Sequence, residues 1–283
     1  MRSIAKILKM IFVSIYDMVN HDGIEHAGYL SFLSMLAIFP FIVFFVALVG
    51  LFGGEPISEL LLRIITESSW VRFLDALKPR IVEITSTPPQ SFLTIAIVSV
   101  IWTASSIFEG LRTILNRSYR VTNPPSYLLR RLVSIVEFLT AISIVLTSLI
   151  VLLIFPYIYQ ALIDSFDITD SRIIKLLAPD SDEWRLLILV LFAFFMVSIV
   201  FYTIPNRKTK FLYTTPGAVL VVAAWTVASS GFSYYITNFP QVNLIYGSIA
   251  GVIISLLYFY ICSIILIVGA EFNYHFEKTY KLK

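Results

Sequence analysis

The stretch that decides the fold covers residues 211–270 and reads FLYTTPGAVLVVAAWTVASSGFSYYITNFPQVNLIYGSIAGVIISLLYFYICSIILIVGA. It contains no Asp, Glu, Lys or Arg between Lys210 and Glu271. An apolar helix needs about 20 residues to cross the hydrocarbon core of a bilayer, which is roughly 30 Å thick. The stretch therefore predicts two membrane-spanning helices, joined by a turn at residues 238–243.

Charge-free runs of similar kind occur four more times along the chain. They cover residues 26–54, 84–108, 138–163 and 186–206. The sequence therefore predicts an all-α polytopic membrane protein, with residues 1–283 forming a single membrane domain. Its six predicted transmembrane helices cover approximately residues 27–52, 90–111, 132–158, 185–204, 215–236 and 246–270.

The composition agrees with a membrane protein and argues against several other classes. Hydrophobic residues make up 58% of the chain and charged residues 14%, whereas soluble domains carry roughly 25% charged residues. The net charge of +3 is small and the basic residues fall in short clusters, so we expect no nucleic-acid partner. Cys262 is the only cysteine, which excludes an intrachain disulfide, and no metal-ligand spacing is visible. We expect no metal and no cofactor.

The basic residues also predict the orientation. In the six-helix prediction, fourteen Lys and Arg residues lie on the side of the two termini and seven on the opposite side. Because basic loops stay in the cytoplasm, both termini are expected there.

Two segments outside the spans have amphipathic patterns. In residues 1–20, apolar residues recur at helical spacing with Lys6 and Lys9 opposite, which predicts an N-terminal helix lying in the membrane interface. In the first outer segment, residues 57–84 predict one or two short amphipathic helices. We expect these to cover the helix bundle or the lipid headgroups, and a dedicated partner site is the alternative.

Ionisable residues near the membrane boundary are the first candidates for a site. Glu137 lies six residues after Arg131, about 9 Å along a helix. It could face a water-filled cavity and bind a cation, a proton or a headgroup amine, or it could pair with a nearby Arg at the interface. Glu109 and Arg112 share a helical face as an expected ion pair, with Asn116 one turn further on.

Other candidates come from helix ends and from a proline. Glu271 and His275 are four residues apart and could pair at the end of the sixth helix. Pro40 stands midway along the first apolar run, where it predicts a kink that could line a cavity or only improve packing. Arg130 and Arg131, together with Arg112, could draw anionic lipid headgroups to a lateral opening, although basic residues there also satisfy topology alone.

Several segments together resemble the YihY/BrkB family of bacterial inner-membrane proteins, whose members have also been labelled ribonuclease BN. In chain order they are HAGYLSFLS at 26–34 with Phe39-Pro40, IWTASS at 101–106, NRSY at 116–119, YTIPN at 202–206, PGA at 216–218, IYGS at 245–248 and GAEFN at 269–273. Asn206, the last residue of the YTIPN segment, is a further candidate site residue. The chain departs from the family pattern at Gly28 and Tyr258, and neither change removes a group with an expected role.

The resemblance implies six transmembrane helices, a location in the inner membrane and cytoplasmic termini. It also implies an association with envelope function, with serum resistance in virulence, and with suggested lipid or ion transport. We therefore expect a transporter or exporter of a lipid, a lipid-linked molecule or a small ion. The alternative is a membrane scaffold that transports nothing and supports envelope assembly.

A ribonuclease, as in the old family label, is the less favoured alternative. The three histidines form no metal-binding cluster in the sequence, and no Gly-rich phosphate loop is present. The predicted cytoplasmic loops are too short to fold a catalytic domain. We therefore expect a protein that is not an enzyme and whose partners are the lipid bilayer and a lipid or ion substrate. The sequence leaves its oligomeric state open.

Overall fold

The structure is a computed structural model in which all described regular structure is helical. It describes residues 2–52, 90–123, 125–144, 147, 182–238 and 249–281. The predicted short helices within 57–84 and the second half of the predicted span 132–158 lie outside these residues. Within them no strand occurs, which confirms the all-α class.

The helices follow the apolar runs of the sequence. They are α1 (Arg2–Asn20), α2 (Gly23–Phe52), α3 (Gln90–Ser118), α4 (residues 127–144), α5 (Asp182–Thr203), α6 (Thr215–Asn238) and α7 (Ile249–Lys281). A short 3-10 helix, Phe211–Tyr213, precedes α6. The α5–α6 loop and the turn between α3 and α4 lie at the same end of the bundle as α1 and the C-terminal end of α7, because side chains from all four meet there.

Three helical stretches in the described residues are long and apolar enough to cross a membrane. They are Ile97–Ser118, Phe211–Tyr235 and Gly251–Tyr280, judged by length and composition. A shorter apolar stretch covers Leu189–Thr203 in α5. The chain is thus a helical protein with three candidate membrane spans among its described residues, and the total of six spans stays a prediction.

Two helices continue well beyond their apolar runs. Helix α3 passes through Glu109 and Arg112 to Ser118, and α7 passes through Glu271 to Lys281. Glu and Arg are good helix formers, and Arg112 and Glu271 each have an oppositely charged partner inside the bundle. Helix α2 contains Pro40 near its middle, and the predicted kink stays a prediction.

The N-terminal helix α1 lies against the bundle along one stripe. Met10, Ser14 and Met18, spaced by four, are all buried, and the hydroxyl of Ser14 donates to the carbonyl of Met10 at 2.7 Å. The apolar stripe predicted from the sequence points away from the bundle, with Leu8 61% and Phe12 73% exposed. Helix α1 therefore presents an apolar face that the described part of the protein does not cover.

The main core forms where α3, α5, α6 and α7 meet. Leu115, Phe201, Val221 and Ala270 are almost completely buried in it. Helices α6 and α7 approach closely through facing glycines. A Cβ atom added to Gly217 would lie 2.3 Å from the carbonyl oxygen of Gly269. Small residues at such positions let the backbones of membrane helices touch.

We predict that Gly217→Ala destabilises the protein because its methyl group would push α6 away from the backbone of α7. Overpacking of this kind costs about 1–3 kcal/mol. Gly28→Ala is the matched control, since Gly28 is also helical and an added Cβ there meets nothing within 4 Å. Thermal unfolding in detergent should show a lower midpoint for Gly217→Ala and an unchanged or higher midpoint for Gly28→Ala. Equal midpoints would contradict the close contact.

Candidate functional site

Buried polar side chains concentrate at one end of the helix bundle, which we call the polar layer. The layer draws on α3, α4, α7 and the α5–α6 loop, and its buried charged and amide side chains are Arg112, Asn116, Glu271, Asn273 and Glu277. A charge removed from water needs an opposite charge or several hydrogen bonds to remain ionised. The polar layer satisfies this condition residue by residue.

Arg112 ties α3 to α4 and to the α5–α6 loop at the centre of the layer. Its side chain is only 2% exposed, and Nη1 donates to the carbonyl of Ile204 at 3.1 Å. Nη2 donates to the carboxylate of Glu137 on α4. Nε lies 3.8 Å from Oε2 of Glu109, one turn earlier on α3. The predicted ion pair of Glu109 with Arg112 is confirmed. Glu137 pairs with an arginine, Arg112, as one of its two predicted roles required.

Further polar contacts fix α4 against α3. Oε1 of Glu109 lies 3.3 Å from Nε of Arg130, and the buried hydroxyl of Ser134 donates to Oε2 of Glu109 at 3.3 Å. Arg131 donates to the carbonyl of Trp102 at 2.9 Å and places its guanidinium 4.6 Å from the centre of the Trp102 ring. Both arginines thus have protein partners, and their suggested contact with headgroups stays a prediction.

Asn116 and Asn206 form a reciprocal pair between α3 and the α5–α6 loop. The side-chain amide of Asn116 donates to Oδ1 of Asn206 at 2.9 Å. The backbone N–H of Asn206 donates to Oδ1 of Asn116 at 2.7 Å. Two candidate residues that lie ninety positions apart in the chain therefore meet in one site.

Glu271, which is fully buried on α7, has a different partner from the one expected. Both of its carboxylate oxygens accept from Arg120, at 3.0 and 2.9 Å. His275 does not pair with Glu271 and instead lies 2.9 Å from Oδ2 of Asp17 on α1. Arg120 also donates to Asp17 at 3.1 Å. The expected pair of Glu271 with His275 is wrong because Arg120, in the turn after α3, can reach both oxygens of Glu271 at once.

Asp17, His21 and Glu271 offer three potential metal ligands within 4.8 Å of one another. Two carboxylates and an imidazole would suit a divalent transition metal. The guanidinium of Arg120, however, already contacts both carboxylates. A metal ion would have to displace it, so the group is built as an ion-pair cluster that joins α1 to α7.

The sequence did not single out Asn273, which is fully buried in the polar layer. Its Oδ1 accepts from the backbone N–H of Gly217 at 2.7 Å, and its amide donates to the carbonyl of Thr214 at 3.0 Å. The amide also donates to the hydroxyl of Tyr119 at 3.3 Å. Burial raises the pKa of Tyr119 to about 12, so this hydroxyl keeps its proton. The only sequence signal for Asn273 is its place in the GAEFN segment.

A cavity of about 830 Å³ lies between α2, α3, α5, α6 and α7, further along the bundle from the polar layer. The side chains that line it are mainly apolar, such as Leu111 and Val222, and several carry hydroxyl groups. The hydroxyls of Ser229 and Tyr258 are 2.8 Å apart on its wall. None of the residues that the structure describes as lining it is charged.

The sequence of residues 14–283 matches the family model described as virulence factor BrkB. The chain belongs to the BrkB family. Among similar proteins of known sequence is the ribonuclease-like protein YfkH of Bacillus subtilis strain 168, which is 28% identical over 93% of each chain. The UPF0761 membrane protein VV0203 of Vibrio vulnificus strain YJ016 is 27% identical over 89% of this chain and 78% of its own. No solved structure matches.

We predict that Glu271→Gln strongly destabilises this BrkB-family protein. The change would remove the anion that Arg120 contacts through two bonds and would leave Asp17 as its remaining anion. Breaking a buried pair costs about 3–5 kcal/mol, and because the Arg120 side chain is 27% exposed we expect a cost at the lower end of that range, about 3 kcal/mol. Asp22→Asn is the matched control because the pair of Asp22 with Arg117 is about half exposed, where a pair contributes about 0–1 kcal/mol. Chemical unfolding in detergent should rank the two variants in this order, and similar losses would contradict it.

Proposed function

We propose that this BrkB-family protein is a multi-pass transporter of the bacterial inner membrane that moves a lipid or a lipid-linked molecule during envelope maintenance. Within this proposal the protein is not an enzyme. Both termini and the polar layer face the cytoplasm, as the bias of basic residues indicates, and the exposed apolar face of α1 lies in the cytoplasmic interface.

The observation that carries the proposal is the cavity. Its volume of about 830 Å³ falls within the range of roughly 300–1,000 Å³ found for small-molecule pockets. Apolar walls with scattered hydroxyls, and no charge among the described lining residues, suit the apolar body of an amphiphile. A small ion would need charged or carbonyl ligands to replace its water, so a lipid is favoured over an ion.

The polar layer supplies a closed end for this cavity. Leu111 of α3 and Leu266 of α7 line the cavity. Arg112, the next residue of α3, is buried in the polar layer. Ala270, four residues further along α7, is buried in the main core. A substrate would therefore leave the cavity toward the cytoplasm only if helices of this end separate. The pair of Arg112 with Glu137 joins α3 to α4 at that place, so we propose that it opens during transport.

The transport proposal can be tested with purified protein in liposomes that contain a fluorescent phospholipid. Ala193→Phe would fill part of the cavity, because Ala193 of α5 lines it, and should lower lipid transfer at least several-fold. Ala223→Phe is the matched control, because Ala223 is exposed on α6 beside the exposed Val219 and Val227. We expect this control to transfer lipid like the wild type.

Glu137→Gln in the same liposomes tests the proposed opening of the Arg112 pair. It should change the rate of lipid transfer, and because Glu109 and the carbonyl of Ile204 still lie against Arg112 we expect the protein to remain folded, which its melting temperature in detergent checks. A cation-driven pH change without lipid transfer would instead indicate ion exchange. If folded protein moves neither lipid nor ions, the scaffold becomes the better explanation.

The orientation gives a separate prediction. Cys262 is the only cysteine, so a Cys262→Ser background can carry single cysteines at Lys9 or Lys278, both exposed near the termini. A membrane-impermeant maleimide should label both positions in inside-out vesicles and neither in intact spheroplasts. Labelling in intact spheroplasts would show that the termini face the other side of the membrane. The argument from the cavity does not depend on this result.

A further inference from the structure

The α5–α6 loop carries a compact group of exposed cationic and apolar side chains. Lys208 and Lys210 are exposed, and Phe211 and Leu212 directly after them are 39% and 75% exposed. We call these four residues the basic ledge. No acidic residue occurs between Tyr202 and Gly217, so the loop itself offers the lysines no counter-charge.

The loop that carries the basic ledge is held firmly on its inner side. Asn206 is fixed by its reciprocal pair with Asn116. Arg207 pairs with Glu277 on α7 and lies 3.5 Å from the centre of the Tyr119 ring. These contacts order the backbone next to Lys208, so the ledge is presented by a fixed segment.

The alternating exposure of residues 207–210 indicates that the two lysines share one side of that segment. Lys210 has an extended conformation, with φ −88° and ψ 140°, and side chains alternate between faces in extended chain. The exposure of the side chains alternates in the same way: Lys208 and Lys210 are exposed, and Arg207 and Thr209 are partly buried. Residues two apart in an extended chain are about 7 Å apart, so two flexible lysine side chains can converge on one phosphate group.

The basic ledge lies where an apolar span begins. The candidate span Phe211–Tyr235, judged by length and composition, starts directly after Lys210. Lysines next to the end of such a span are expected in the headgroup region, and the exposed Leu212 belongs to the span itself. Tyr202 packs edge-on against Phe211 with ring centres 5.7 Å apart, and such aromatic side chains favour the membrane interface.

We propose that the basic ledge binds the phosphate headgroup of an anionic phospholipid in the leaflet it faces, with Lys208 and Lys210 contacting the phosphate and Leu212 the acyl chains. The site lies apart from the arginines considered first for headgroup contact, since Arg130 and Arg131 already have protein partners. The proposal requires only that the protein lies in a membrane and is independent of transport.

Native mass spectrometry of the full chain in detergent can test the site by titration with phosphatidylglycerol and, separately, with phosphatidylcholine. We expect the wild type to retain phosphatidylglycerol in preference, and Lys208→Gln combined with Lys210→Gln to weaken that binding by about tenfold, because each lysine near an anionic surface adds favourable free energy. Lys208→Arg combined with Lys210→Arg keeps both charges and should keep binding.

The matched control combines Lys9→Gln with Lys278→Gln, which removes the same charge from exposed positions elsewhere at this end of the protein. This control variant should keep most of the preference for phosphatidylglycerol over phosphatidylcholine. An equal loss in both double variants would show general charge attraction and overturn the site. Inorganic phosphate should not compete at millimolar concentration, and full competition would overturn the lipid assignment in favour of a free-phosphate site. Unchanged melting temperatures would show that each variant is folded.

Discussion

The structure depends on the need to pair every charge that the helices carry into an apolar interior. A guanidinium in a medium of low dielectric constant is tolerated only when anions or carbonyls surround it. Arg112 meets this need with Glu137, Glu109 and a carbonyl of the α5–α6 loop. Arg120 meets it with Glu271 and Asp17. Because each arginine draws its partners from different helices, satisfying the charges also fixes where those helices lie.

Close backbone packing complements the ion pairs where α6 meets α7. Asn273 accepts from the N–H of Gly217, a donor that helix geometry leaves without an intrahelical partner at the start of α6. It also donates to the carbonyl of Thr214. This contact is possible because Gly217 and Gly269 let the two helices touch. The end of the bundle is therefore closed by directional bonds as well as by apolar packing, whereas the cavity beyond it is lined mainly by apolar groups.

Local features of the chain were predictable and distant ones were not. Charge-free runs predicted the helical class, and spacing by three predicted the pair of Glu109 with Arg112, because neighbours on a helix follow from its period. The same reasoning failed for Glu271, whose partner Arg120 is 151 residues away. It also gave no reason to join Asn116 to Asn206 or to single out Asn273. Their bonds depend on how helices are arranged in three dimensions, and one sequence carries no measure of that.

The bidentate pair of Arg120 with Glu271 also bears on how the chain is made. A ribosome completes Arg120 long before it completes Glu271, and the carboxylate belongs to the last helix of the chain. Until α7 arrives, the nascent protein holds a cation whose main counter-charge does not yet exist. A copy that stops before α7 would lack both bonds from Arg120 to Glu271 and would keep Asp17 as the remaining anion near that guanidinium. Quality control in the membrane would thus have a chemical mark by which an unfinished molecule differs from a complete one.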